Sequence, residues 1–103
     1  MGKPIEREFA QGKTILKYLD YKGASCVVPS SMGTQGVVKA GTPFPSNDAS
    51  CKGLLLFDVN VAQGDGIGTY VFEGSIDNKK LAENSVSVSP EAKAVLPRVT
   101  FFD

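Results

Sequence analysis

Residues 53–76 read GLLLFDVNVAQGDGIGTYVFEGSI, and this stretch decides the fold class. Its first part holds a short unbroken apolar run, Leu54-Leu55-Leu56-Phe57. A strand with one wet face alternates apolar and polar residues, so a strand that does not alternate is expected to be buried on both faces and central. Ala62-Gln63-Gly64-Asp65-Gly66-Ile67 follows; its Gly and Asp residues tolerate positive φ and suit a hairpin joining 54–61 to 69–76. In the second strand Thr69, Val71, Glu73 and Ser75 alternate with Tyr70, Phe72 and Ile76. That period of two predicts an aromatic and aliphatic row on one face.

Working outward, Gly, Pro, Ser and Asn recur at short intervals from Gly23 onward between brief apolar runs, the pattern of an all-β domain. Further strands are expected over 25–28, 36–39, 85–88 and 99–102, with the strands of the hairpin at 53–61 and 68–76. One helix is expected over 90–96. Ser89 can cap the free N–H groups of a first turn, Pro90 fits the first helical position, Glu91 favours the positive end of the dipole, and Pro97 stops the helix.

Residues 1–22 differ from the rest. Ile5, Phe9, Ile15, Leu16, Tyr18 and Tyr21 are interleaved with Glu6, Arg7, Glu8, Lys13, Lys17, Asp20 and Lys22. Ile5 and Phe9 have helical spacing, Gly12 breaks the run, and 14–19 reads more like a strand. The segment is read as an N-terminal arm (1–22) preceding a β-rich domain (23–103). The residues leave a second reading open, in which it is a first strand or helix of the core.

With 103 residues the chain has room for one core, and at this size oligomerisation would help stability. Eleven basic residues balance eleven acidic ones, so nothing draws the chain to nucleic acid or an anionic membrane. No apolar run approaches the ~20 residues of a membrane helix, and Met1-Gly2-Lys3-Pro4 leads into charged residues, so a soluble protein without a signal peptide is expected. Outside a secretory context Cys26 and Cys51 are expected as reduced thiols.

The chain has no histidine, which removes the commonest general base and transition-metal ligand. Asp58-Val59-Asn60 opens like a calcium loop, but Ala62, Gln63 and Thr69 stand where a ligand, a glycine and the closing glutamate belong. Gly64, Gly66 and Gly68 lack the spacing and following helix of a phosphate cradle. Glu73 and Asp77 read as solvated strand residues, and the aromatics as core rather than base-stacking groups. No enzymatic activity, cofactor, metal or small-molecule substrate is expected; docking onto other proteins is.

Four stretches carry a resemblance. They are Val38-Lys39-Ala40-Gly41-Thr42-Pro43-Phe44-Pro45; Gly53-Leu54-Leu55-Leu56-Phe57-Asp58-Val59; Val71-Phe72-Glu73-Gly74-Ser75-Ile76-Asp77-Asn78-Lys79-Lys80-Leu81; and Leu96-Pro97-Arg98-Val99-Thr100-Phe101. In this order, over residues 36–103, the chain resembles the head decoration proteins of tailed bacteriophages and prophages, the group that includes the lambda head decoration protein and head-fibre base domains. The motif positions are Lys39, Ala40, Gly41, Thr42, Pro43, Gly53, Asp58, Gly74, Leu81 and Pro97, all read as shaping the backbone rather than doing chemistry.

The resemblance implies a mainly β, β-tulip-like sandwich or barrel with one short helix near its C-terminus. It implies a homotrimer at three-fold or quasi-three-fold sites on the outside of an expanded capsid, stabilising the head, with the host cytoplasm as its location during assembly. In that family an N-terminal arm adds strands to the major capsid protein. Ile5, Phe9, Ile15, Leu16 and Tyr18 would act so here, although residues 1–22 do not match the family pattern. Competing readings are a lipoyl- or biotinyl-carrying domain, for which the hairpin tip lacks a lysine, a nucleic-acid-binding β-barrel, and another phage head or tail subunit.

Overall fold

In a computed structural model, which describes residues 14–103, the 53–76 stretch lies at the centre of a five-stranded sheet. The strands are β1 (Leu16–Val28), β2 (Val37–Val38), β3 (Pro43–Phe44), β4 (Gly53–Leu55), β5 (Val59–Asn60), β6 (Gly66–Asp77) and β7 (Val99–Phe102). Two helices, α1 (Asn78–Glu83) and α2 (Pro90–Ala94), and a 3-10 turn over Ser30–Met32 complete the described residues. β6 is the hub. It pairs antiparallel with β1 along one edge, and along the other with β4 and then, in parallel, with β7. β3 extends the sheet beyond β4, and β2 with β5 forms a separate ribbon. The fold is mainly β, as the sequence predicts.

The leucine run behaves as expected of a strand buried on both sides. Leu54 and Leu56 enter one apolar cluster with Ile15, Val71, Ile76, Leu81 and Leu96, while Leu55 points into a second with Val28, Val38, Val59 and Val61. Burying a side chain of this size contributes about 1.5–3 kcal/mol. Leu54 pairs with Val71 and Leu55 with Tyr70, the pairing the hairpin requires. The first strand does not run on to residue 61, however. Asp58 accepts a hydrogen bond from the Ala40 N–H at 2.8 Å, and Val59 pairs with Val38 instead of with β6.

The predicted row of Tyr70, Phe72 and Ile76 is corrected by a bulge. Lys22 pairs with Glu73 and Gly23 with Val71, which leaves Phe72 as one residue too many on β6. An extra residue reverses the side-chain alternation beyond it. Val71 and Ile76 therefore share a buried face, Phe72 is exposed, and Tyr70 stacks on Phe44 on the other face.

The described part of the arm belongs to the sheet. β1 runs straight through the boundary placed between residues 22 and 23, and Ile15 and Leu16 are 0% and 4% exposed. The reading left open at the sequence level, a first core strand, is the one these residues adopt. Their apolar side chains are in water unless they close the cluster beneath α1 and α2. Ile5 and Phe9 lie outside the described residues.

At the C-terminal end, the Ser89 hydroxyl accepts from the Ala92 N–H at 3.1 Å and starts α2 one residue before Pro90. The second helix, α1, was not expected. Asp77 caps it by accepting from the Lys79 N–H at 2.9 Å, a signal hidden because Asp77 also ends β6. The strand expected over 85–88 pairs with no strand among the described residues. Side-chain amides hold this segment instead: Asn84 donates to the Ala40 carbonyl and Asn47 to the Ser87 carbonyl, both at 3.0 Å.

Candidate docking surfaces

Most of the family-like motif folds into one knot. The Thr42 N–H and hydroxyl both donate to the Lys39 carbonyl, at 3.2 and 2.7 Å, making a tight turn. At its apex Gly41 has φ +95°, the left-handed region that residues with a Cβ disfavour. Its N–H donates to the Leu55 carbonyl at 2.7 Å, and a Cβ there would collide with Leu81. Asp58 closes the turn from the other side through the Ala40 N–H, and its second oxygen lies 3.9 Å from Lys39 Nζ. Pro43 begins β3, Gly53 lets β4 lie against the Val71 carbonyl, the Gly74 N–H donates to the Arg98 carbonyl, and Pro97 precedes β7. Each of these positions shapes backbone.

The exposed apolar residues lie largely along β1 and its partner. β1 ends the strand order, and among the described residues it pairs only with β6, so one of its long edges is open. Tyr18 is 57% exposed and meets Phe102 edge to face at 5.7 Å. Tyr21 is also exposed, and Val27 and Ile67, paired across the strands, are 56% and 75% exposed. Tyr18 is among the arm residues legible in the sequence, whereas Val27 and Ile67 are not, because facing across strands depends on register. Lys22, Glu73 and Arg98 form an exposed charge row with contacts of 4.0 and 3.4 Å; such pairs add little stability and can reorganise for a partner.

Of the five residues expected to bind capsid, the structure therefore leaves Tyr18 on the surface and buries Ile15 and Leu16. A core side chain cannot be a docking contact without unfolding its surroundings. That is a correction to the arm.

The polar groups are engaged in holding loops. Asn60 accepts from the Ala62 N–H at 2.9 Å and Asp65 from the Ser30 N–H at 2.9 Å. No group of three or more Cys, Asp or Glu able to hold a metal occurs among the described residues. Both cysteines are free thiols; burial pushes each pKa upward. Thiolate is the nucleophilic form, so both should react slowly with disulfide reagents near neutral pH, the buried Cys51 the slower. A raised thiol pKa also favours folding below the ordinary thiol range and loses that contribution as pH rises through it. Urea melts from pH 7 to 10 should show stability falling at the alkaline end; a rise there would contradict these thiol environments.

No helix among the described residues is long and apolar enough to cross a membrane. The sequence matches no known protein family and no curated protein, and the fold matches no solved structure.

Proposed function

We propose that this chain is a non-enzymatic virion protein that docks as trimers on the outer surface of an expanded phage capsid, at three-fold or quasi-three-fold sites, and stabilises the head. The observation that carries the proposal is the knot of family-like residues. Lys39, Ala40, Gly41, Thr42, Asp58 and Leu81 come from three separate stretches, yet they meet around one left-handed turn. The turn, its anchor and the side chain packed on it depend on one another, which is the backbone-shaping role that the resemblance implies for these positions.

The arm is shortened to residues 1–13, with Ile5 and Phe9 as its apolar contacts, and Tyr18, exposed on β1, is a further contact. Extended segments add to sheet edges through main-chain hydrogen bonds, with alternate side chains giving specificity. Three such contacts joined in a trimer hold far better than one, because each bound arm raises the effective concentration of the others.

The test is binding of the full chain to expanded shells of the cognate capsid protein, followed by imaging. Trimeric protrusions at three-fold positions are expected, and Ile5→Asp/Phe9→Asp should reduce occupancy at least tenfold while leaving the circular dichroism spectrum unchanged. Bare shells with the unaltered chain would refute the function; full occupancy by the double variant would refute the arm.

A further inference from the structure

β1 presents a long backbone edge that pairs with no strand among the described residues. The direction of its hydrogen-bonding groups follows from the strands on the far side of β6. Gly74, opposite Tyr21, donates its N–H away from β1 to the Arg98 carbonyl, and Thr69, opposite Ser25, accepts from the Leu56 N–H just beyond β4. Two facing residues of an antiparallel pair either exchange both hydrogen bonds or neither. Tyr21 and Ser25 are therefore of the second kind, and their N–H and C=O groups point out of the edge.

Edges of this length are ordinarily blunted by charge, proline or a covering segment. β1 has no proline, and its three charges, Lys17, Asp20 and Lys22, are all exposed. Asp20 has no ion-pair partner among the described residues, while Lys22 lies 4.0 Å from a Glu73 carboxylate that is closer to Arg98, at 3.4 Å. If a second copy of β1 lies antiparallel along this edge, outward-pointing residues must face one another, so odd-numbered residues meet odd-numbered ones. With Tyr21 opposite its own copy, Asp20 falls opposite Lys22 of the second copy, twice over by symmetry, and Lys17 meets the neutral Ser25. Sliding the pair by two residues sets Lys22 against Lys22 in one direction and Asp20 against Asp20 in the other. No other register of this parity within β1 opposes unlike charges.

We propose that β1 pairs with β1 of a second copy of this chain, antiparallel and centred on Tyr21, so that one sheet runs through two subunits. Unlike charges directly across strands stabilise such a pair and like charges destabilise it. The same register sets the exposed Tyr18 ring against the small Ala24, and lays the irregular half of each strand, between Leu16 and Tyr21, along the regular half of the other. The contact is two-fold and isologous. It is separate from the three-fold contacts proposed above and does not rest on that reading.

The experiment is sedimentation equilibrium of the full chain, without shells, over a wide range of concentration. A reversible dimer is expected. Asp20→Lys sets like charges across both pairs and should raise the dimer Kd by about tenfold or more; Lys22→Asp should do the same. Asp20→Lys/Lys22→Asp should recover the original Kd, and an equimolar mixture of the two single variants should form a heterodimer more tightly than either variant pairs with itself. Circular dichroism should be unchanged throughout, because both positions are exposed. A chain that stays monomeric, as it would if residues 1–13 covered the edge in cis, would overturn the proposal. So would a dimer indifferent to the single changes, or a double variant as weak as the single ones. Shell binding plays no part in these measurements, so their failure is distinguishable from failure of the capsid reading.

Discussion

Gly41→Ala is expected to lower the stability of the protein by about 2–5 kcal/mol, out of the roughly 5–15 kcal/mol of a typical domain. Two independent penalties combine. A residue with a Cβ held in the left-handed region costs about 1–2 kcal/mol, and Gly41 sits at φ +95°. Forcing a methyl against the buried Leu81 side chain adds about 1–3 kcal/mol of overpacking. Urea denaturation measures the sum directly. Gly41→Ala/Leu81→Ala should not recover wild-type stability, because the second change relieves the collision but not the backbone penalty and opens a cavity of its own. A midpoint for Gly41→Ala equal to wild type would mean that the turn is not built as described, and the knot that carries the functional proposal would go with it.

Ile15→Ala should cost about 2–5 kcal/mol, the range for deleting a large side chain from a closed core, whereas Tyr18→Ala three residues later should change stability by under about 1 kcal/mol. The contrast follows from exposures of 0% and 57%. It bears on the proposed function because any truncation reaching residue 17 also removes the buried Ile15 and Leu16, so a loss of shell occupancy in such a truncation would be expected from lost core packing alone. Stability and shell occupancy measured on the same two variants separate core from arm. Equal stability of Ile15→Ala and wild type would return residues 14–17 to the arm.

Much of the fold is legible from local chemistry. The leucine run announces a strand buried on both faces because nothing polar interrupts it. Ser89-Pro90-Glu91 announces a helix because capping, ring geometry and dipole agree. The turn around Gly41 is legible as a turn, since Gly-Thr-Pro has few other uses. α1 was hidden because Asp77 serves two elements at once, as the last residue of β6 and the cap of the helix. Segment 85–88 has a strand's alternation, but Asn47 donates to its Ser87 carbonyl and the flanking Asn84 donates to the distant Ala40 carbonyl, and a partner 40 residues away leaves no local trace.

What the sequence by itself determined is therefore the class of the molecule: a small, mainly β chain with a balanced charge, no histidine and a central apolar strand. These follow from composition and short-range pattern, where each residue's preference acts on its neighbours. Only the tertiary structure decided which side of β6 faces the core, because one bulge at Phe72 reverses the alternation and a bulge is chosen by the partner strand. Tertiary packing likewise decided that Ile15 and Leu16 are core while Tyr18 is surface. An apolar residue near a chain end can serve a partner or its own interior equally well until the cluster it would close is known.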